Sequence, residues 1–151
     1  PETLEVPDNF YEIINRWTFE SVSVVALDKQ FGLLRDNVDN PLANELFAKL
    51  KIFLDLAFQL DVASPSLWKK FATPNFKKLM ATLDDIQQIT ATFINEAKQR
   101  IEDERKKGFE KNEDDKGVLE KLLKIDEKIA EVMAMDMLMA GVDTVSRSSY
   151  I

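Results

Sequence analysis

The residues best suited to chemistry in this 151-residue chain lie near its end, in Ala140-Gly141-Val142-Asp143-Thr144. A carboxylate and a hydroxyl here interrupt a helical pattern that is otherwise apolar. Ala140 and Gly141 leave a shallow depression in which a small or flat ligand can approach the backbone. Gly inside a helix costs roughly 1 kcal/mol relative to Ala, so Gly141 needs a reason. Thr144 follows Ala140 by four residues, and its hydroxyl can reach that carbonyl and bend or open the helix. Asp143 sets an ionisable group beside the hydroxyl; burial would favour its protonated form and suit it to passing protons. The same residues also admit a plainer arrangement, in which Gly141 packs a helix crossing, Thr144 bonds its own helix and Asp143 faces water.

Composition narrows the chemistry sharply. The chain contains no Cys and no His. That excludes disulfides, Cys-based zinc sites and thiol nucleophiles, and it removes the usual general base near neutral pH. No metal-ligand set can be assigned. A net charge of -7 disfavours nucleic acid, whose phosphates would be repelled. With 45% hydrophobic and 31% charged residues, the balance is that of a helical protein with one core. Four Gly and five Pro leave room for few turns and long helices. No run of roughly 18 apolar residues suits a bilayer span. The chain opens on Pro1-Glu2-Thr3-Leu4-Glu5 without a targeting segment and closes at Tyr150-Ile151 directly after the motif, so both ends read as cut.

The elements that must position the motif are all helical. A first helix is expected from about Asn9 to Leu27, with Asp8 as a capping candidate and Phe10, Ile13, Ile14, Trp17, Ser21 and Val24 on one face. Gly32 and the polar run Arg35 to Asn40 mark a loop. Asn40-Pro41 starts a second helix, with the stripe Leu42, Leu46, Leu50, Phe53, Ala57 and Leu60, and Ser64-Pro65 ends it. A connector follows with Leu67, Trp68 and Phe71 beside Lys69 and Lys70. The third helix, about Pro74 to Lys106, buries Phe76, Met80, Leu83, Ile86, Thr90, Phe93, Ala97 and Ile101. It would span on the order of 45–50 Å. Arg105 to Lys116 reads as a charged, solvated connector. A short helix, Val118 to Ile125, leads into the last, from about Asp126 to beyond Ile151. From Val132 to Val142 that last helix is apolar on nearly every side, broken chiefly by Asp136. A helix of this kind belongs inside a larger body than four other helices supply.

Three stretches resemble one family. Ala140-Gly141-Val142-Asp143-Thr144 is similar to the central-helix signature of the cytochrome P-450 haem-thiolate monooxygenases, Ala/Gly-Gly-x-Asp/Glu-Thr. Asn15-Arg16-Trp17, Glu20-Ser21, Ala26-Leu27-Asp28 and Gly32-Leu33-Leu34 resemble a run of that family's mitochondrial class. Ser64-Pro65-Ser66-Leu67-Trp68, followed by Thr73-Pro74, is similar to the connector between the class's F and G helices. The matches stand in the family's order and cover the whole chain, with insect enzymes as the expected relatives. The resemblance implies an all-α fold class, a fragment of the P-450 fold comprising helices E, F, G, H and the start of I. Residues 1–151 would be a partial domain, lacking the N-terminal part and the C-terminal Cys-bearing haem region.

Function is implied in the same way. The parent enzyme would insert one oxygen atom of O2 into a small lipophilic substrate, steroid- or xenobiotic-like. Ala140 and Gly141 would border the oxygen groove on the distal haem face, and Asp143 and Thr144 would help deliver protons to dioxygen. Met137 and Val145 would meet substrate. Leu67, Trp68 and Phe71 would make a peripheral contact with a membrane surface, beside lysines. Haem is the implied cofactor, an adrenodoxin-like ferredoxin the implied electron donor, and the mitochondrial inner membrane the implied location. Val145 stands where the family usually carries a second Thr or Ser, and Arg147 is an unexpected charge one turn on. Without a Cys the isolated chain cannot supply an axial ligand and would be inactive. The competing expectation is a non-catalytic helical interaction module, or a truncated remnant.

Overall fold

The computed structural model describes residues 9–35, 40–63, 71–109 and 111–147, with Ala63 and residues 143–147 described by backbone alone. Among them the only regular structure is helical: α1 (Phe10–Leu27), α2 (Pro41–Phe58), α3 (Pro74–Lys106), α4 (Val118–Ile125) and α5 (Glu127–Arg147). No described helix is long and apolar enough to cross a membrane.

Helix starts are written in side chains. Asn40 accepts the Ala43 N–H at 3.2 Å ahead of Pro41, and Thr73 accepts the Phe76 N–H at 3.3 Å ahead of Pro74. Asp126 accepts from Ile129 at 3.0 Å and opens α5. Each oxygen satisfies one N–H that a helix start leaves without a partner. The second helix does not stop at Phe58: it widens into a π turn over Gln59–Ala63, a change of pitch that apolar spacing does not signal.

α2 packs chiefly on α3, and α1 chiefly on α5. The two pairs are joined by an aromatic cluster. Phe19 of α1 lies 5.6 Å from Phe31 in the following loop and 5.2 Å from Phe47 of α2, while Phe31 lies 4.7 Å from Phe93 of α3, measured between ring centres. These are attractive ring–ring separations. Around them Leu27, Leu46, Leu50, Ile86, Ile94, Leu119 and Leu138 are fully buried.

The face of α1 marked by apolar spacing is not the one that packs. Phe10, Ile13, Trp17 and Val24 are exposed, Trp17 by 59%. The buried face instead carries Asn15, Phe19, Glu20, Ser23, Ala26 and Leu27. Glu20 explains part of this. Its carboxylate turns inward and accepts the Gly32 N–H at 2.7 Å and the Leu33 N–H at 3.2 Å, pinning the return loop to the helix. Gly32 has φ +78°, the left-handed conformation that glycine adopts without steric cost.

The α1–α4 junction is built from Asp28. It ends α1 in the left-handed conformation with φ 51° and accepts from Arg100 of α3 at 3.0 Å. Its carboxylate lies against Gly117, where a Cβ would stand 2.7 Å from Oδ1. Glycine therefore lets an acid reach the positive N-terminal end of α4.

The connector before α4 is not wholly solvated. Lys116 is buried, its ammonium donating to Glu113 at 2.5 Å, and Lys124 donates to the same oxygen at 2.5 Å. The hydrogen bonds from Lys116 and Lys124 pull the Glu113 carboxyl down from 4.5 to about 2. A folded-state value below the unfolded one stabilises the fold above pH 4.5, and that contribution drains away as pH falls from 4.5 toward 2. Glu113→Gln is expected to flatten this part of the acid-unfolding curve, read from melting temperature against pH. A variant that keeps the wild-type slope there would remove Glu113 from the acid response.

Candidate functional site

Every residue of the terminal motif lies on α5, and the geometry of that helix sorts them by face. Ala130, Ala134, Leu138 and Val142 recur every four residues and are buried, with α1 and α4 as the main neighbours of the helix. Ile129, Val132, Met133, Asp136 and Ala140 are exposed. Between these faces Met137 is partly buried against the edge of the core. The helix is thus apolar all round, as expected, but it is covered on one side only.

Arg100 of α3 holds Asp28 at the end of α1, and Lys98, two residues earlier, pairs with Glu127 at the start of α5 at 2.6 Å. The C-terminal end of α1 and the start of α5 are thus each tied to α3. The crossing point is Gly141: a Cβ there would stand 2.3 Å from Val22 Cγ2 and 3.1 Å from Val22 Cβ. The helix-crossing role considered for Gly141 is what the packing shows. Consecutive helical residues are turned by about 100°, so Ala140 and Gly141 address different sides. Gly141 admits α1, while Ala140 lies on the open face.

α5 continues in helical form to Arg147. Positions 143, 144 and 145 therefore follow in register, with position 144 one turn beyond Ala140 on the same face. The side chains of Asp143, Thr144 and Val145 lie outside the described residues, as do Leu67 and Trp68. Phe71 is 70% exposed just before α3.

α1 thus backs the buried face of α5, and part of the run that carried the resemblance fixes it. Glu20 holds Gly32 and Leu33, Ala26 and Leu27 enter the core, and Asp28 locks the junction to α3. Asn15 is buried with neither amide atom partnered. Arg16 pairs with Glu12 at 2.9 Å on the surface. A cleft of about 520 Å³ opens between the start of α1 and the loop at Leu33–Arg35, lined also by Arg16 and Asn44. It contains none of the motif residues. The open face of α5 is a wall rather than a closed pocket.

The open face of α5 is small and apolar around Ala140. The small Ala140, flanked by exposed Met133 and partly buried Met137, suits close approach of a flat apolar ring. The iron's protein ligand has to come from outside these residues, because the chain has neither Cys nor His.

Comparison with known proteins agrees with this arrangement. The cytochrome P450 family model matches residues 5–150. The chain is 58% identical to cytochrome P450 CYP12A2 of Musca domestica over 147 residues, covering 97% of this chain and 27% of that protein. It is 44% identical to cytochrome P450 12b1, mitochondrial, of Drosophila acanthoptera over 146 residues, covering 97% of this chain and 26% of that protein. The chain therefore spans about a quarter of the length of the curated relatives it matches. A match over nearly all of its residues, on helices arranged to bury one face of α5 and leave the Ala140 face open, means that this chain belongs to the cytochrome P450 family.

Proposed function

We propose that these residues form the E-to-I segment of a mitochondrial haem monooxygenase that inserts one atom of O2 into a small lipophilic substrate. The observation that carries this reading is the split on α5: Gly141 is occupied by Val22, while Ala140, Met133 and Ile129 form an open apolar stripe. Haem, when bound, supplies dioxygen activation. Its thiolate ligand comes from a part of the domain beyond these residues, so this chain alone is inactive.

The chain's own residues serve that chemistry in distinct ways. Ala140, with the Gly141 backbone beside it, keeps the distal side low enough for a small gas molecule and a flat ring. Thr144, one turn on, holds a proton-donating hydroxyl, and Asp143 resupplies its proton. Met137 and Val145 give the cavity apolar surface and help exclude water. Leu67, Trp68 and Phe71 make the entrance and rest on the mitochondrial inner membrane, apolar groups inserting beside lysines. An adrenodoxin-like ferredoxin delivers the electrons.

Thr144→Ala in the full-length enzyme tests the proton role. Oxygen consumption should continue while most of it is diverted from product to hydrogen peroxide. General acid–base contributions of this kind are worth about 10²–10⁴-fold. The measurement is the ratio of product to oxygen consumed; an unchanged ratio would take Thr144 out of the mechanism.

A further inference from the structure

Methionine is unevenly placed in this chain. Four of its five methionines stand at alternate positions of one helix, Met133, Met135, Met137 and Met139 of α5. Helix propensity does not explain the choice, because leucine serves as well. Packing explains half of it. Residues two apart on a helix face nearly opposite ways, while residues four apart return to within about 40°, so the four sort into two pairs. Met135 is buried and Met139 partly buried against the core, where a flexible thioether fills irregular gaps. Met133 is 39% exposed, and Met137 lies at the edge of the same open face. Two full turns after this pair, on that face, come Ala140 and position 144. Met137 also stands only about 5 Å of rise before Ala140.

We propose that Met133 and Met137 form a sacrificial oxidation site, intercepting hydrogen peroxide released beside Ala140 before it reaches the haem or the rest of the fold. The proposal rests on the monooxygenase reading, in which this face of α5 meets reduced dioxygen. A thioether offers the same apolar surface as leucine and, in addition, sulfur lone pairs. One lone pair attacks a peroxide oxygen, the O–O bond breaks, an S–O bond forms, and the second oxygen leaves as water with both protons. The sulfur loses two electrons and becomes a sulfoxide; the peroxide gains them. The product is polar, so it disrupts a core but is tolerated on an open face. That contrast matches the placement. The pair on the open face can be oxidised without unpacking α5 from α1, while buried Met135 is shielded.

Met80 of α3 supplies the internal reference, because at 40% exposure it matches Met133 and stands on a different helix. The test uses full-length enzyme with a ferredoxin, a ferredoxin reductase and NADPH, without substrate, so that reduced oxygen leaves as peroxide. Catalase in solution destroys what escapes and is too large to enter the site. Peptide mass spectrometry reads sulfoxide at each methionine. Met133 and Met137 should be oxidised severalfold ahead of Met80, and that ratio should fall when reagent peroxide is added to resting enzyme without catalase. Equal oxidation of the three during turnover, or the same ratio under both conditions, would overturn the proposal. The double variant Met133→Leu, Met137→Leu should lose haem absorbance severalfold faster per peroxide released, and an unchanged haem lifetime would overturn the protective role. A preparation that takes up no haem would sink the monooxygenase reading and this proposal together. Normal haem uptake and peroxide release with no methionine preference would sink the proposal alone.

Discussion

Replacing Gly141 by Ala is expected to push α5 off α1 and lower the unfolding free energy by up to about 2 kcal/mol. The new methyl carbon would stand 2.3 Å from one methyl of Val22 and 3.1 Å from both its Cβ and its other methyl. A flexible neighbour could swing aside. Valine cannot, because branching at Cβ leaves essentially one rotamer in a helix and the Cβ itself moves only with the backbone. Overpacking of this kind costs roughly 1–3 kcal/mol, and the gain in helix propensity from Gly to Ala returns about 1 kcal/mol. The net sign is a loss. Val22→Ala in the same chain removes the obstructing methyls, so the double variant should recover much of what Gly141→Ala loses, and a double-mutant cycle isolates that coupling. Urea midpoints of the four proteins decide it. A Gly141→Ala variant as stable as wild type would mean that the crossing is slack, and Gly141 would need another explanation.

Glu20→Ala should cost more, about 2–4 kcal/mol. The carboxylate is buried, and each oxygen takes a backbone N–H, from Gly32 and from Leu33. Such bonds to an ionised acceptor are among the stronger ones in proteins. Removing the side chain leaves one buried donor, at Leu33, and one half-buried donor, at Gly32, without acceptors, a buried one being worth roughly 1–3 kcal/mol, and frees the loop that carries Phe31 and Leu33 into the core. Glu20→Gln is the informative companion. It keeps one acceptor but turns a second oxygen into an amide donor facing another donor, so it should fall between wild type and Ala. Hydrogen exchange at Gly32 and Leu33 checks the mechanism directly: both amides should lose protection early in Glu20→Ala, and one of the two in Glu20→Gln. If protection there persists, the loop is held by its aromatic contacts and not by Glu20.

These two residues show where local reading succeeds and where it stops. Asn40 followed by proline marked the start of α2 and Pro74 the start of α3, and the apolar stripes marked most of the faces that pack, Met80 of α3 being an exposed exception. Capping and periodicity are properties of neighbouring residues, so a linear chain displays them. α1 is different. Its regular apolar stripe through Phe10, Ile13, Trp17 and Val24 is exposed, and its packed face holds Asn15, Glu20 and Ser23. No periodicity rule places a glutamate inside, because its partners lie 12 and 13 residues away on a loop. The approach of Asp28 to Gly117 escapes for the same reason, depending on elements far apart in the chain.

At the motif, residue types alone picked out Ala140, Gly141, Asp143 and Thr144 and joined the two small residues into one depression. Folding separated them. α1 crosses α5 at Gly141, which meets Val22, and that crossing leaves Ala140 and Asp136 on the open side. Helix identity follows from short-range backbone bonding and is legible one turn at a time. Which side of a helix faces a neighbour is a property of the whole assembly, because two apolar faces compete for one partner and only packing chooses between them.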